Sequence, residues 1–362
     1  MKKQTILNQI FCEIKSFILL CVSFAILSSC SAHHQVPNIR SLRFENTLNS
    51  KQKLSLSKSI EEIVNAGGNH YWKKAIIKQI SSFGLEENTR QERIDWLSVQ
   101  KNIIVDIPGE SDSLIYIVAH YDKTDINPFK LASIYLSGLL DSLISWSFTS
   151  QGAIDNTTGV AIALQLAKSI AERDNKFSYR ILLAGSEESG LRGSRAHVAR
   201  LSLEEFDKIK FVVNVDVVGV KGKQNCVYTV SDDDLEQEAL IIAKQNDIEF
   251  GVGTFPIGAA SDCLPFKKTS FGLDFARSFA FNFTGSLLPQ RSYFTKKSTK
   301  VINFSACKLL DVGDYVANTV LLPVGSIHGF RDNIKQVDLD KLYEMYQLIS
   351  LFLHEEGKSI AR

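Results

Sequence analysis

The sequence predicts an α/β fold: three layers, α/β/α, around a mixed, mostly parallel central sheet. Two observations predict it. From residue 102 onward, short apolar runs alternate with longer amphipathic stretches, the rhythm of strands joined by helical crossovers. The runs are also rich in Ile, Leu and Val without polar alternation, as in strands buried on both faces.

The elements follow in order. Met1-Lys2-Lys3 leads through a polar stretch into the apolar run from Phe17 to Leu27, which closes in Leu27-Ser28-Ser29-Cys30. A basic start, a short apolar centre and small residues at the end make a secretory signal over residues 1–29 rather than a spanning helix. Its last four residues resemble a bacterial lipobox, which predicts Cys30 as the lipidated first residue. Residues 30–50, with His33, His34 and Pro37, read as a tether. These features predict a location at the bacterial cell envelope, lipid-anchored at the outer membrane and facing the periplasm.

A domain over residues 51–362 follows. Helical patterns cover Leu54–Asn65 and Tyr71–Phe83, separated by Ala66-Gly67-Gly68-Asn69. Asn102–Ile107 and Leu114–Ala119 read as strands joined at Pro108-Gly109, and Thr157–Ala171 as a helix with Val160, Ala163, Leu164, Ala167 and Ile170 on one face. Tyr179–Ala184 and Phe211–Val215 are further strands, and Leu235–Gln245 a further helix. Residues 123–150 break the rhythm with an apolar insertion that includes Trp146. It is too long for a bare loop, and reads as a helical excursion on the core or as a lid or rim that shapes substrate access or touches the membrane surface.

Composition excludes several classes. Over 362 residues, 41 basic side chains balance 40 acidic ones, 44% of residues are hydrophobic and 22% charged. These fractions exclude a wholly disordered chain. A net charge of +1 supplies no long-range pull toward nucleic acid. Beyond Cys12, Cys21 and Cys30, only Cys226, Cys263 and Cys307 remain, with no CxxC spacing. A disulfide framework and a cysteine-rich zinc cage are both unsupported.

Chemistry gathers where apolar runs end. One run ends in His120-Tyr121-Asp122, another in Glu187-Glu188 and a third in Asp216, while Asp155-Asn156 stands just before the Thr157 helix. The carboxyl ends of parallel strands form the crevice where α/β sheets bind ligands. Imidazole and carboxylates converging there suit a divalent cation, and zinc accepts both donor types. Asp122, two residues after His120, is placed to accept the other imidazole N–H. Of the neighbouring pair Glu187-Glu188, one can ligate while the other serves as general base to the attacking water.

These motifs resemble the M28 metallopeptidases, zinc aminopeptidases and related exopeptidases of α/β/α fold. The likeness runs from about Asn102 to the C-terminus. It rests on His120-Tyr121-Asp122, on Gly152-Ala153-Ile154-Asp155-Asn156-Thr157-Thr158-Gly159-Val160, on Glu187-Glu188-Ser189-Gly190-Leu191-Arg192-Gly193-Ser194 and on Asn214-Val215-Asp216-Val217-Val218-Gly219. Ser261-Asp262-Cys263-Leu264-Pro265-Phe266 is similar to a later Ser-Asp-His segment, with cysteine in the histidine's place. The resemblance implies that His120 and Asp216 bind one zinc, that Asp155 bridges two and that Glu188 binds the second. It makes Glu187 the general base and has Asp122 orient His120.

In the family, a histidine inside a Tyr-His-Thr motif completes the second site. The corresponding stretch here reads Tyr293-Phe294-Thr295, with Ser298 where an acid usually follows. The expectation is therefore one complete zinc site (His120, Asp155, Asp216) and an incomplete second one. Among the remaining histidines His328, in Ser326-Ile327-His328-Gly329, is the first candidate to step in. His197, on the helix after the Glu-Glu turn, reads as structural.

The first functional reading is a zinc-dependent aminopeptidase acting on peptides. The second is a metallopeptidase-like binding protein that has lost turnover. A glutaminyl cyclase-like activity ranks third, because that branch uses the site completed by the final histidine.

Overall fold

Two helices, α1 (Asn46–Asn65) and α2 (Asn69–Ser82), lead into strands β1 (Thr89–Arg93), β2 (Lys101–Ile107) and β3 (Ser111–His120) in this computed structural model, which describes residues 46–95, 98–123, 150–254, 261–267, 298–308 and 327–359. Helix α3 (Thr158–Ala171), β4 (Phe177–Ala184), the short helices α4 (Arg192–Val198) and α5 (Leu203–Asp207), and β5 (Ile209–Val215) follow. The remaining elements are β6 (Asn225–Tyr228), α6 (Asp233–Gln245), β7 (Phe250–Gly253), β8 (Lys300–Ala306) and α7 (Leu339–Ser359). The signal, Cys30 and most of the tether lie outside the described residues, as do residues 124–149 of the insertion, with Trp146, and Phe294.

The eight strands among the described residues form one sheet in the order β1-β2-β4-β3-β5-β8-β6-β7. Its centre, β4-β3-β5-β8, is parallel, and β6 pairs parallel with β7. The pairs β1-β2, β2-β4 and β6-β8 are antiparallel, so the sheet is mixed, as its sequence predicts. Alternate residues of one strand feed two different cores. Ile103, Ile117, Ile181 and Val213 pack with α1, α2, α3, α6 and α7 on one face. Ile104, Val118, Leu182 and Val212 pack on the other face with Val198, Phe206 and Phe266. Burial on both faces is why these strands carry no polar alternation.

The Pro108-Gly109 connection is not a hairpin. β4 lies between β2 and β3, and Gly109 crosses its start, with the Gly109 N–H donating to Ser178 Oγ at 3.1 Å. A Cβ on Gly109 would come within 2.2 Å of the Phe177 carbonyl oxygen, so only glycine fits there.

Four strands escape the sequence reading for physical reasons. β1 is a polar edge strand, Thr-Arg-Gln-Glu-Arg. β6 and β7 have four residues each. β8 interleaves buried Asn303 and Ser305 with its apolar residues.

Candidate metal centre

Three adjacent parallel strands deliver their carboxyl ends to one edge. β3 ends at His120, β4 runs through Gly185-Ser186 into Glu187-Glu188, and β5 is followed by Asp216. Asp155 comes from an irregular turn, Ala153–Thr157, ahead of α3. Asn156 staples that turn to the end of β5: its amide donates to the Val215 carbonyl at 2.9 Å, and its oxygen accepts from the Val217 and Gly159 N–H groups, each at 3.1 Å. A Cβ on Gly159 would stand 2.4 Å from the Val215 oxygen. Glycine thus lets the turn seat directly on the strand that leads to Asp216.

The geometry resolves into two groups that share one carboxylate. His120 Nε2 lies 3.0 Å from Asp155 Oδ1 and 3.3 Å from Asp216 Oδ1. His328 Nε2 lies 3.0 Å from Asp155 Oδ2 and 3.0 Å from Glu188 Oε1. Each group offers one imidazole and two carboxylates, with donor atoms close enough to meet on one cation. Asp155 contributes one oxygen to each.

The expectation of an incomplete second site is therefore corrected. His328 takes the place that the Tyr293-Phe294-Thr295 alignment left to phenylalanine. The acid assigned to Ser298 is found at Asp332, four residues after His328 just as Ser298 is four after Phe294. The sequence signal was present as His-x-x-x-Asp, but in a segment where Ile327 and Gly329 replace the flanking Tyr and Thr.

The placement of Asp122 also departs from expectation. His120 Nδ1 donates to the Asp122 backbone carbonyl at 3.1 Å, while the carboxylate stands 3.7 Å away, beyond hydrogen-bond reach. That carboxylate instead accepts the Glu187 and Glu188 backbone N–H groups at 2.9 and 3.3 Å. Asp122 thus fixes the imidazole with its main chain and the Glu-Glu turn with its side chain.

Further support surrounds these groups. Ser261 donates to Asp216 Oδ2 at 2.5 Å and accepts from Asn214 at 2.7 Å. Asp262, 1% exposed, accepts from Ser194 at 2.5 Å. Cys263, next to Asp262, is buried with a free thiol in the core that contains Phe266. Ser98 meets the Ser186 hydroxyl at 3.1 Å and Gln100 accepts the Ser186 N–H at 2.8 Å, holding the residue before Glu187 in a left-handed conformation.

The electrostatics are those of crowded acids. Burial would raise Asp155, but the hydrogen bonds and charges of His120 and His328 outweigh it and hold this carboxyl well below the usual range. Burial opposes charge on His120, yet the Glu187 charge and the nearby Asp122, Asp155 and Asp216 carboxylates raise its pKa well above that of an ordinary histidine. Burial, with Glu188, Asp262 and Asp216 nearby, drives Glu187 well up. Asp262 is pushed up to about 7, chiefly by burial, and Asp332 to about 7 by burial and the neighbouring Asp155. A bound divalent cation would relieve this accumulation of negative charge.

His197 sits elsewhere. It reaches Tyr116 at 3.1 Å and Glu92 at 3.2 Å, across the face of the sheet away from α3, and has the structural role the sequence assigns it.

An α/β/α sheet with two imidazole–carboxylate groups at its strand ends defines a metal-dependent class of protein. Within it, the chain belongs to peptidase family M28, whose sequence model matches residues 102–353. An aminopeptidase of Pseudomonas aeruginosa is 28% identical over 130 residues, 36% of this chain and 23% of that protein. The chain thus spans about a quarter of that relative's length. Among solved structures, a leucine aminopeptidase precursor from Bacteroides thetaiotaomicron superposes with a TM-score of 0.56 at 14% identity, covering 88% of this chain and 99% of that one. The glutaminyl cyclase of Porphyromonas gingivalis gives 0.57 at 16% identity, covering 84% and 98%. Both likenesses concern the fold.

Proposed function

We propose that this protein is a zinc-dependent exopeptidase, an aminopeptidase, with a two-metal centre. The observation that carries the reading is that Asp155 presents one oxygen to each of two complete donor groups, with Glu187 beside them. His120, Asp155 and Asp216 would hold one zinc, and Asp155, Glu188 and His328 the other. Zinc at these donors supplies Lewis acidity, polarising a peptide carbonyl and acidifying water.

The chain's own residues do the rest. Glu187 stands beside both donor groups without belonging to either, so its carboxylate is the group that takes the proton of the attacking water and delivers it to the leaving amine. Asp122 holds the Glu187 N–H and so fixes the base in place. With His328 in the site, the binding-protein reading loses its motive. The objection to a cyclase also falls, so a glutaminyl peptide belongs in the assay beside aminoacyl substrates.

The test is hydrolysis of aminoacyl substrates by zinc-loaded protein. Glu187→Gln is expected to lower kcat by about 10²–10⁴-fold while zinc content stays unchanged. Undiminished hydrolysis overturns the mechanism, and cyclisation without hydrolysis moves the activity to the other branch.

Anchoring at the cell envelope through Cys30 belongs to the same reading, supported by Leu27-Ser28-Ser29-Cys30. Cys30→Ala is expected to leave the membrane fraction. A variant that stays membrane-bound overturns the anchor.

A further inference from the structure

We propose that Asp332 is a positioning residue for the His328 half of the centre, locking the loop that carries His328 onto the turn that carries Asp155. The inference rests on the two-group metal reading above and assigns a task to a residue outside both groups.

Asp332 is 1% exposed, and its oxygens are directed to donors on the opposite segment. Its Oδ1 accepts the Ile154 N–H at 2.7 Å and the Asp155 N–H at 3.3 Å. Its Oδ2 accepts the Ser150 hydroxyl at 2.5 Å, and its backbone carbonyl accepts the Gln151 N–H at 2.8 Å. Gln151 returns the contact by accepting the Ile334 N–H at 3.1 Å. One carboxylate therefore joins segments 178 residues apart in sequence.

The joined segments need that hold. His328 has φ +57°, a left-handed conformation that a non-glycine residue keeps only where its surroundings impose it. The Asp332 N–H donates to the Gly329 carbonyl at 2.9 Å, closing the turn just after His328. Asp155, for its part, lies in a turn with non-helical backbone angles, φ −115° and ψ 92°, and its own N–H is one of those Asp332 accepts. Two of the three donors in the His328 group thus depend on one buried carboxylate.

The His120 group is supported differently. His120 follows β3 directly and is oriented by the Asp122 carbonyl, and Asp216 follows β5 and is held by Ser261. It shares only Asp155 with the Asp332 lock. Loss of Asp332 should therefore weaken the two sites unequally, which a general loss of stability would not do.

Competitive zinc titration of the metal-free full chain against a chromophoric chelator measures both affinities. Asp332→Ala is expected to weaken one zinc by about 10–100-fold and the other by less than about threefold. Asp332→Asn keeps an oxygen for the Ile154 and Asp155 N–H groups and should hold both affinities within about threefold of wild type. Ser150→Ala removes one bond of the lock and should weaken the same site by a few-fold, which carries the test if Asp332→Ala does not fold. Equal weakening of both sites, unchanged affinities in Asp332→Ala or Ser150→Ala, or an Asn variant no better than Ala overturns the proposal. Wild-type protein that binds two zinc ions yet cleaves no peptide overturns the aminopeptidase reading and leaves the titration to judge Asp332. Wild-type protein that binds no zinc overturns both.

Discussion

Two polar clusters among the described residues are built on opposite principles. Across one face of the sheet, Arg180 donates to the Tyr116 hydroxyl, Tyr116 to His197 Nε2, and His197 Nδ1–H to Glu92, which also accepts from Asn102 and pairs with Arg200. Asp106 takes both Arg180 and Arg90. Donors and acceptors alternate and each carboxylate faces at least one guanidinium, so the cluster is complete without a guest. At the strand ends, Asp122, Asp155, Glu187, Glu188, Asp216, Asp262 and Asp332 crowd around only two imidazoles. The crowding drives several of these acids up, a bound cation would relieve it, and that excess sets the candidate site apart from the structural network.

Four measurements break or sharpen this contrast. Removing zinc by chelation should produce the largest change. Protein first saturated at about a thousandfold over its dissociation constant should lose about 4 kcal/mol of stability, read as a fall in Tm that added zinc restores. A Tm indifferent to chelation would make the two clusters equivalent and remove the case for a metal.

His328→Ala deletes a donor from one group only. Zinc stoichiometry at limiting free metal is expected to fall from two toward one, with an affinity loss at that site of at least about 100-fold (about 2.7 kcal/mol), while the fold is retained. Two ions bound as tightly as in wild type would show that His328 is not a donor.

His197→Ala tests the other cluster. It strands the buried Tyr116 and the partly buried Glu92 and should cost about 1–3 kcal/mol of stability, with zinc affinity unchanged in the folded protein. A large loss of zinc would connect the clusters and undo the distinction.

The smallest effect is in pH. Burial, above all, holds His197 below its ordinary pKa despite its bond to Glu92, so this residue is neutral in the fold. As pH falls below about 6.5, the unfolded chain takes up the proton first and stability declines. The slope is at most about 1.4 kcal/mol per pH unit, and the contribution is fully present above that pH. The difference between wild-type and His197→Gln denaturation profiles isolates it. A wild-type advantage that shrinks with rising pH would mean that His197 is charged in the fold.

The legibility of fold and site followed burial. β2 to β5 and α3 could be read because both faces of the central strands are buried, leaving uninterrupted apolar runs. β1, β6, β7 and β8 could not, being polar, short or interleaved with buried Asn and Ser. In the site, His120, Asp155, Glu187, Glu188 and Asp216 were legible because each sits at the end of a strand or beside the start of a helix, where sequence position predicts spatial position. His328 and Asp332 lie in a loop. No periodicity announces where such a residue goes, and aligning the motif on Tyr293 and Thr295 led to the wrong segment.

The sequence by itself determined the α/β class, the family motifs and most of the donors, since these depend on local pattern and on strand ends gathering at one edge of a parallel sheet. Only the tertiary structure decided that the second donor group is complete, that the Asp122 side chain holds the Glu187 turn while its carbonyl meets the His120 ring, and that Asp332 joins the two halves. Each of these depends on contacts between segments distant in the chain, and those contacts form only once the sheet has brought its strand ends together.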